Sequence, residues 1–428
     1  MTTTRWTCGV DGSGKATLLC QITENGKPSN PFPVKLKGLC YSPAPMNGSN
    51  KFAPALGDWY WDDFNAGGTV IHGWSPLWQR DLPAMRRIGA NSIRVYCMLS
   101  RQLNGNGTFP QPWNSGHLFT HGRFLDWCFN TTAPPLDRHS KYVLVGIPVP
   151  ATMLWKEQYD RASDAEKTYW MNVLAETAAS MAQHPGVVGF TVQNEQDGAD
   201  VCYNNPAWAD FWWGQIEKMA AIVKKAAPDK LVGMATHDDP NIPRKAAAWM
   251  AKCPSVDFWG VNSYQTQTLD SIFGDYGRLT GSARKPVLLT EWGMPATSHR
   301  DPNNRGSIYE DPNTRKKAGD VLARVVPQAY GHPLCIGLYY FEYCDEWWNE
   351  PGAPNNYTWW GGPSAPGLPN GYWDNEGFGL FSIKRGGSLP NNAPIWDAKA
   401  NGPALPIDVH YERSELTALL AKIFQSVG

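Results

Sequence analysis

The 428-residue sequence lacks several features that would mark other classes of protein. It has no run of like charge, and 38 basic against 39 acidic residues leave a formal net charge of -1. That balance argues against a nucleic acid or an anionic membrane as partner, since both select for excess Lys and Arg. No apolar stretch approaches the roughly 18 residues of a membrane span. The opening MTTTRWTCGVDG carries no apolar run, so no signal peptide is visible. The expectation is a cytoplasmic chain or a mature secreted form whose signal has been removed. The nine Cys are scattered and odd in number, with no CxxC, which excludes a zinc ribbon and a dense disulfide scaffold. Cys8 and Cys20 flank a hairpin, where they either pair or remain buried thiols. No strand-anchored GxGxxG or Walker signature appears, which weighs against a dinucleotide or nucleotide site. There is no internal repeat.

Aromatic residues are abundant. The chain has 21 Trp, 17 Tyr and 15 Phe, and many of the Trp fall in polar, Gly- and Pro-rich stretches. Trp59, Trp61, Trp74, Trp113, Trp359, Trp360 and Trp373 are of this kind. A large core needs aromatics, but rings on loops also suit sugars, whose C–H faces are apolar while their rims hydrogen-bond. Some of these residues are expected to stack on sugars.

Residues 4–22 read as a hairpin around Asp11-Gly12-Ser13-Gly14. A rhythm of short apolar runs and helical stretches follows. The spacing predicts strands at Val34–Tyr41, Ser92–Cys97, Tyr142–Val149, Val187–Gln193, Leu231–Ala235, Val256–Val261, Val287–Thr290 and Ile336–Phe341. Several are nearly continuous apolar runs, as parallel strands buried on both faces require. Helices are predicted at Leu77–Ile88, His121–Phe129, Ala162–Gln183, Pro206–Ala227, Arg244–Lys252, Leu269–Leu279, Thr314–Tyr330 and Ser414–Ser426. Eight such units make a closed barrel or an open doubly wound sheet, and the count favours a (β/α)8 barrel. The expected organisation is one catalytic barrel over residues 1–428, with an N-terminal hairpin over 1–30. Residues 349–406, rich in Gly, Pro and Asn, read as a long loop excursion after strand eight. Segments 42–76 and 98–120 read as insertions at the same C-terminal mouth.

Active sites of such barrels form at the C-terminal ends of the strands. Three strands end in functional-looking groups: Gln193-Asn194-Glu195, Thr290-Glu291-Trp292-Gly293, and Phe341-Glu342-Tyr343-Cys344-Asp345-Glu346-Trp347-Trp348. A carboxylate directly after a buried strand is destabilising unless it is hydrogen-bonded or paired. One such Glu is readily a helix cap or an ion-pair partner. Two, after strands four and seven, point to chemistry.

These stretches resemble glycoside hydrolase clan A, the retaining barrel enzymes with an Asn-Glu acid/base after strand four and a Glu nucleophile after strand seven. The likeness covers about residues 34–348. Gly89-Ala90-Asn91-Ser92-Ile93-Arg94-Val95-Tyr96 resembles strand two of the clan, where the Arg supports the nucleophile. Lys37-Gly38-Leu39-Cys40-Tyr41-Ser42-Pro43 is similar to β-glucan-active members, β-1,3-glucanosyltransferases among them. The resemblance implies Glu291 as nucleophile, held by Arg94 and Tyr264, and Glu195 as acid and then base. It also implies Asn194 as partner of the sugar 2-hydroxyl. The chemistry agrees, since two carboxyl groups about 5–5.5 Å apart cleave a glycosidic bond with retention.

Other candidates are open between roles. Trp347 or Trp348 would floor the reactive subsite or pack in the core. Tyr41 and Trp155 are candidate stacking residues. Asp197 would orient Glu195, and Glu342 is a third mouth carboxylate or a structural ion-pair partner. His237 would bind substrate or serve structure. With Asp238 and Asp239 it makes a poor metal site, and no metal or other cofactor is expected. The expected partner is an oligo- or polysaccharide, most readily a β-glucan, either hydrolysed or transferred. The competing readings are a carbohydrate-binding barrel without activity and a metal-dependent barrel hydrolase using His237, Asp238 and Asp239.

Overall fold

The computed structural model describes residues 2–44, 57–104, 106–129, 141–197, 205–237, 242–299, 308–346, 365–373, 377–382 and 410–427. The eight apolar runs form eight parallel strands that close on themselves in chain order. They are Leu36–Tyr41, Ser92–Val95, Tyr142–Gly146, Val187–Asn194, Leu231–Thr236, Phe258–Asn262, Val287–Trp292 and Cys335–Tyr340. The eighth pairs with the first, Gly337 to Leu36 through Tyr340 to Leu39, and so completes the barrel. Nearly every strand residue is buried, because the inner face packs in the barrel and the outer face meets helices.

Strand ends move where local chemistry intervenes. The first strand starts at Leu36 rather than Val34, because the Val34 N–H donates to Leu18 O of the N-terminal hairpin. The third ends at Gly146, two residues before Pro148, which cannot donate to a ladder. The seventh runs on to Trp292.

The helices form an outer ring: Ser75–Ile88, Gly122–Phe129, Asp164–Met181, Pro206–Ala226, Ile242–Met250, Asp270–Gly277, Pro312–Gly331 and Ser414–Ser426. Ser163 caps the third of these by accepting from the Glu166 N–H at 3.1 Å. Two short helices, Ala151–Leu154 and Lys156–Arg161, lie in the loop after strand three, where no helix is predicted. Trp155 joins them in extended conformation.

The hairpin pairs Thr2–Val10 with Ala16–Glu24 and covers the end of the barrel opposite the mouth. Its Trp6 N–H donates to Asp229 O, and the Trp6 ring meets Tyr142 edge-on at 4.7 Å. Lys230 reaches Thr4 Oγ1 at 2.8 Å. Its register sets Cys20 opposite Trp6 and Cys8 opposite Leu18, so the two thiols do not face each other. Both are free, and burial pushes the Cys20 thiol up to about 12.

At the mouth, the expectation of sugar-stacking loop aromatics is corrected for three of the Trp. Trp59, Trp61 and Trp74 are buried, with Trp59 edge-on to Trp74 at 4.9 Å. A long insertion must bury a core of its own, and these rings supply it. Trp359 and Trp360, with most of 349–406, lie outside the described residues. Tyr41 is corrected as well. It is fully buried and donates to Asp81 Oδ2 at 2.8 Å, while Tyr343 donates to Asp81 Oδ1 at 2.9 Å. It ties the first strand to the helix before the second and presents no face to a sugar.

The loop after strand eight is anchored by Arg413, which precedes the last helix. Its buried guanidinium donates to Asp345 Oδ2 at 2.9 Å and to Glu310 Oε2 at 3.1 Å. Arg315 donates to Glu310 from the other side at 2.9 Å. Removing the Arg413 cation takes the buried Asp345 carboxylate's guanidinium partner away and leaves Glu310 to Arg315 alone, which is far more destabilising than losing an exposed pair. Arg413→Met is therefore expected to lower unfolding free energy by about 3–5 kcal/mol in denaturant titrations. Arg87→Ala, which breaks an exposed pair with Glu412, should shift it by less than about 1 kcal/mol. Comparable small shifts for both would contradict this view of the anchor.

Candidate active site

Strand alternation places Arg94 and Tyr96 on the same face of the second strand, toward the barrel axis. Arg94 is fully buried, and its guanidinium gathers acceptors from three other strands. Nη1 donates to Glu291 Oε1 at 2.8 Å and to Thr290 O at 2.8 Å, and Nη2 donates to Asn194 Oδ1 at 2.6 Å. Asn262 Oδ1, at the end of strand six, lies 3.3 Å from Nη1 and accepts from Thr290 Oγ1 at 2.8 Å.

Glu291 is 4% exposed and receives hydrogen bonds at both oxygens. Tyr96 donates to Oε1 at 2.8 Å beside Arg94, and Tyr264 donates to Oε2 at 2.6 Å. The charge-assisted pair with Arg94 is the strongest of these contacts. Burial and the Glu291 charge raise the phenol pKa of Tyr264, which keeps it a hydrogen-bond donor.

Glu195 follows Asn194 at the end of strand four, half-buried, with a φ of 53°. Left-handed backbone is uncommon outside Gly, and here it turns the side chain in from the strand end. Its Oε1 accepts from Asn262 Nδ2 at 2.9 Å, and the same Nδ2 donates to Asn194 Oδ1 at 3.0 Å. Asn262 thus bridges the two glutamates, touching Glu195 directly and Glu291 through Arg94. Burial, then the Glu291 charge, then Asp197 raise the Glu195 carboxyl from 4.5 to about 8, against the Asn262 bond and Arg94.

The strands bend to bring these groups together. The pairing shifts register between Thr191 and Asn194 on strand four, between Val261 and Asn262 on strand six, and between Leu289 and Trp292 on strand seven. Such irregularities re-aim side chains next to sites. Beyond the turn, a Cβ at Gly293 would sit 1.6 Å from Phe341 O, so only glycine lets strands seven and eight converge there.

The remaining candidates divide. Asp197 is buried and accepts the His237 N–H at 3.1 Å on each oxygen. It ties the ends of strands four and five and raises the Glu195 pKa through its charge. The His237 side chain is exposed, and Asp238 and Asp239 lie outside the described residues. Among the described residues, no three His, Cys, Asp or Glu side chains converge on a metal-sized site. Trp347 and Trp348 lie outside the described residues too. Trp373 is half-buried, edge-on to Tyr264 at 5.3 Å. Trp155 is half-buried, with its indole N–H donating to Gln196 O at 3.0 Å.

Glu342 corrects the expectation of a structural ion pair. It is fully buried, and neither oxygen has a hydrogen-bond partner among the described residues. Burial, with the charges of Glu346, Asp345 and Glu291 nearby, pushes its pKa well up and so favours the neutral form. A neutral acid tolerates a dry position that a carboxylate does not.

Tyr96 and Asn262 are absent from the sequence-based set of candidates, although parity could have found both. Tyr96 lies two residues after Arg94, and Asn262 two before Tyr264, so each shares a face with a predicted site residue.

No protein-family model matches the chain. A 1,3-beta-glucanosyltransferase from Arthroderma benhamiae is 24% identical over 257 residues, 57% of this chain and 40% of that protein. The chain therefore spans less than half the length of this curated relative. Among solved structures, a GH2 beta-galacturonidase from Eisenbergiella tayi aligns with a TM-score of 0.51 at 12% identity, over 96% of this chain and 58% of that one. BpGH50 aligns with a TM-score of 0.50 at 13% identity, over 99% of this chain and 82% of its own. At these identities the structural likeness is one of fold.

The raised pKa of Glu195 has a consequence for stability whatever the reaction. A carboxyl whose folded pKa exceeds its unfolded value stabilises fully below the unfolded value, near 4.5, and that contribution is lost as pH climbs to about 8. Glu195→Gln removes this loss. Its melting temperature relative to the parent should rise between pH 5 and pH 8, read by calorimetry. A difference that is flat or falls with pH would contradict the raised value.

Proposed function

We propose that this chain is a retaining β-glycosidase or transglycosylase, with Glu291 as nucleophile and Glu195 as acid/base. The observation that carries the reading is the contrast between the two carboxyls. Glu291 is a carboxylate fixed by Arg94, Tyr96 and Tyr264, and Glu195 beside it is biased toward its protonated form. A carboxyl fixed by a buried cation and two phenols suits attack, and a neighbour biased toward its protonated form suits proton donation.

In the first step Glu291 attacks the anomeric carbon, and the bond to the leaving oxygen breaks as Glu195 delivers its proton. Oε2 holds one neutral donor, Tyr264, whereas Oε1 holds the Arg94 cation and Tyr96, so Oε2 is the freer oxygen for attack. Covalent bonding removes the Glu291 charge that raises the Glu195 pKa, and Glu195, now deprotonated, becomes a competent base. In the second step Glu195 takes a proton from water or a sugar hydroxyl, which attacks the anomeric carbon and releases Glu291. Asn194 gives its carbonyl oxygen to Arg94 and Asn262, which leaves its amide N–H groups for the sugar 2-hydroxyl.

The substrate we propose is a β-glucan. Support comes from the Lys37–Pro43 opening and from the name of the Arthroderma relative. Hydrolysis and transfer use the same residues and differ only in the acceptor, so the relative's transferase name favours transfer as the second reading. Trp347 or Trp348 is proposed as the floor of the reactive subsite, and Trp373, edge-on to Tyr264, as a further ring at the nucleophile.

Glu291→Ala should abolish turnover of an activated aryl β-glucoside, and added azide should restore part of it as the α-glycosyl azide. Unimpaired turnover in the variant, or a β-azide as the rescue product, would sink the nucleophile assignment.

A further inference from the structure

Beside the acid/base loop lies a cavity of about 270 Å³ that the mechanism does not use. Its wall comes from the two short helices after strand three and from the first turns of helix Pro206–Ala226. Trp155, Trp208 and Trp212 line it, and Glu157, Gln158 and Arg161 bring hydrogen-bonding groups to it. Trp208 and Trp212 are four residues apart on one helix and so share a face. Trp212 is buried, whereas Trp208 is 37% exposed, unusual for an indole among whose neighbours on the helix Trp212 and Trp213 are covered. An apolar-walled cavity with a few convergent polar groups is the ordinary form of a small-ligand site.

Its position relates it to the chemistry. The Trp155 N–H bond to Gln196 O, 3.0 Å long, pins that indole to the residue directly after Glu195. Glu195 is the group that would protonate the departing oxygen, so the sugar carrying that oxygen lies on the Glu195 side. The loops after strands three and four form that side.

We propose that this cavity is the binding subsite for the leaving-group or acceptor sugar of a β-linked oligosaccharide, with Trp155 and Trp208 as its ring-stacking faces. The inference rests on the retaining reading above, but its test does not depend on turnover. The probe is a β-1,3-linked glucohexaose, with the β-1,4-linked hexaose as a second, titrated by calorimetry into the Glu291→Ala chain. Adding Trp208→Ala should weaken binding roughly three- to tenfold, and Trp208→Phe should recover most of it. In the parent chain, Trp208→Ala should lower kcat/KM for the hexaose by a larger factor than for β-glucosyl fluoride, whose leaving group needs no sugar subsite. Binding unchanged by Trp208→Ala, no binding of either hexaose, or equal losses on hexaose and fluoride would overturn the subsite. Binding that weakens as expected in a Glu291→Ala chain that still turns over substrate would instead sink the nucleophile assignment and leave the subsite standing.

Discussion

A guanidinium buried at the heart of a barrel dictates most of what surrounds it. Arg94 has no access to water, so its charge must be met by carboxylate and carbonyl oxygens from the protein. The acceptors come from strands four, six and seven: Asn194, Asn262, Thr290 and Glu291. Each of these strands carries a register shift close to where it meets the cation. Barrel closure and the position of Glu291 are thus coupled: the strands must be in register at their buried middles and out of register at their ends.

The same cation sets the electrostatics. Glu291 lies against Arg94, whereas Glu195 is reached by the neutral amide of Asn262, and burial raises its pKa. Two glutamates of one chemistry thus sit in different surroundings, one against a cation and two phenols, the other on a neutral amide. Glu342, buried nearby without a hydrogen-bond partner among the described residues, is pushed toward its neutral form by the same low-dielectric surroundings. On the proposed mechanism the distinction between Glu195 and Glu291 is needed only until the glycosyl bond to Glu291 forms, after which Glu195 can change role.

The barrel was legible in the sequence because parallel strands buried on both faces leave continuous apolar runs, and all eight lie within a few residues of their predicted positions. The ends were less so. The seventh strand runs two residues past its predicted end and holds Glu291 inside the ladder, where three donors, the Arg94 cation among them, compensate its burial. Arg94, Asn194, Glu195, Tyr264 and Glu291 do converge, since strand-end position and face parity are written in the order of residues. The burial of Tyr41, Trp59, Trp61 and Trp74 is not written in the sequence, because nothing in a Gly- and Pro-rich stretch, or at the strand end beside it, tells whether a ring turns outward or into a local core. The cavity at Trp155 and Trp208 is hidden for another reason: helix Pro206–Ala226 is announced by the sequence, but the two short helices that close the cavity against it are not.

Direct attack of a carboxylate on the sugar fixes the stereochemistry of the product. Proton NMR of the first-formed reducing end, released from a β-glucan oligosaccharide faster than mutarotation, reads that outcome. Double displacement through Glu291 predicts the β anomer first, with the α anomer growing in only at the spontaneous rate. An α anomer as the initial product would mean a single displacement by water, and would contradict the role given to Glu291.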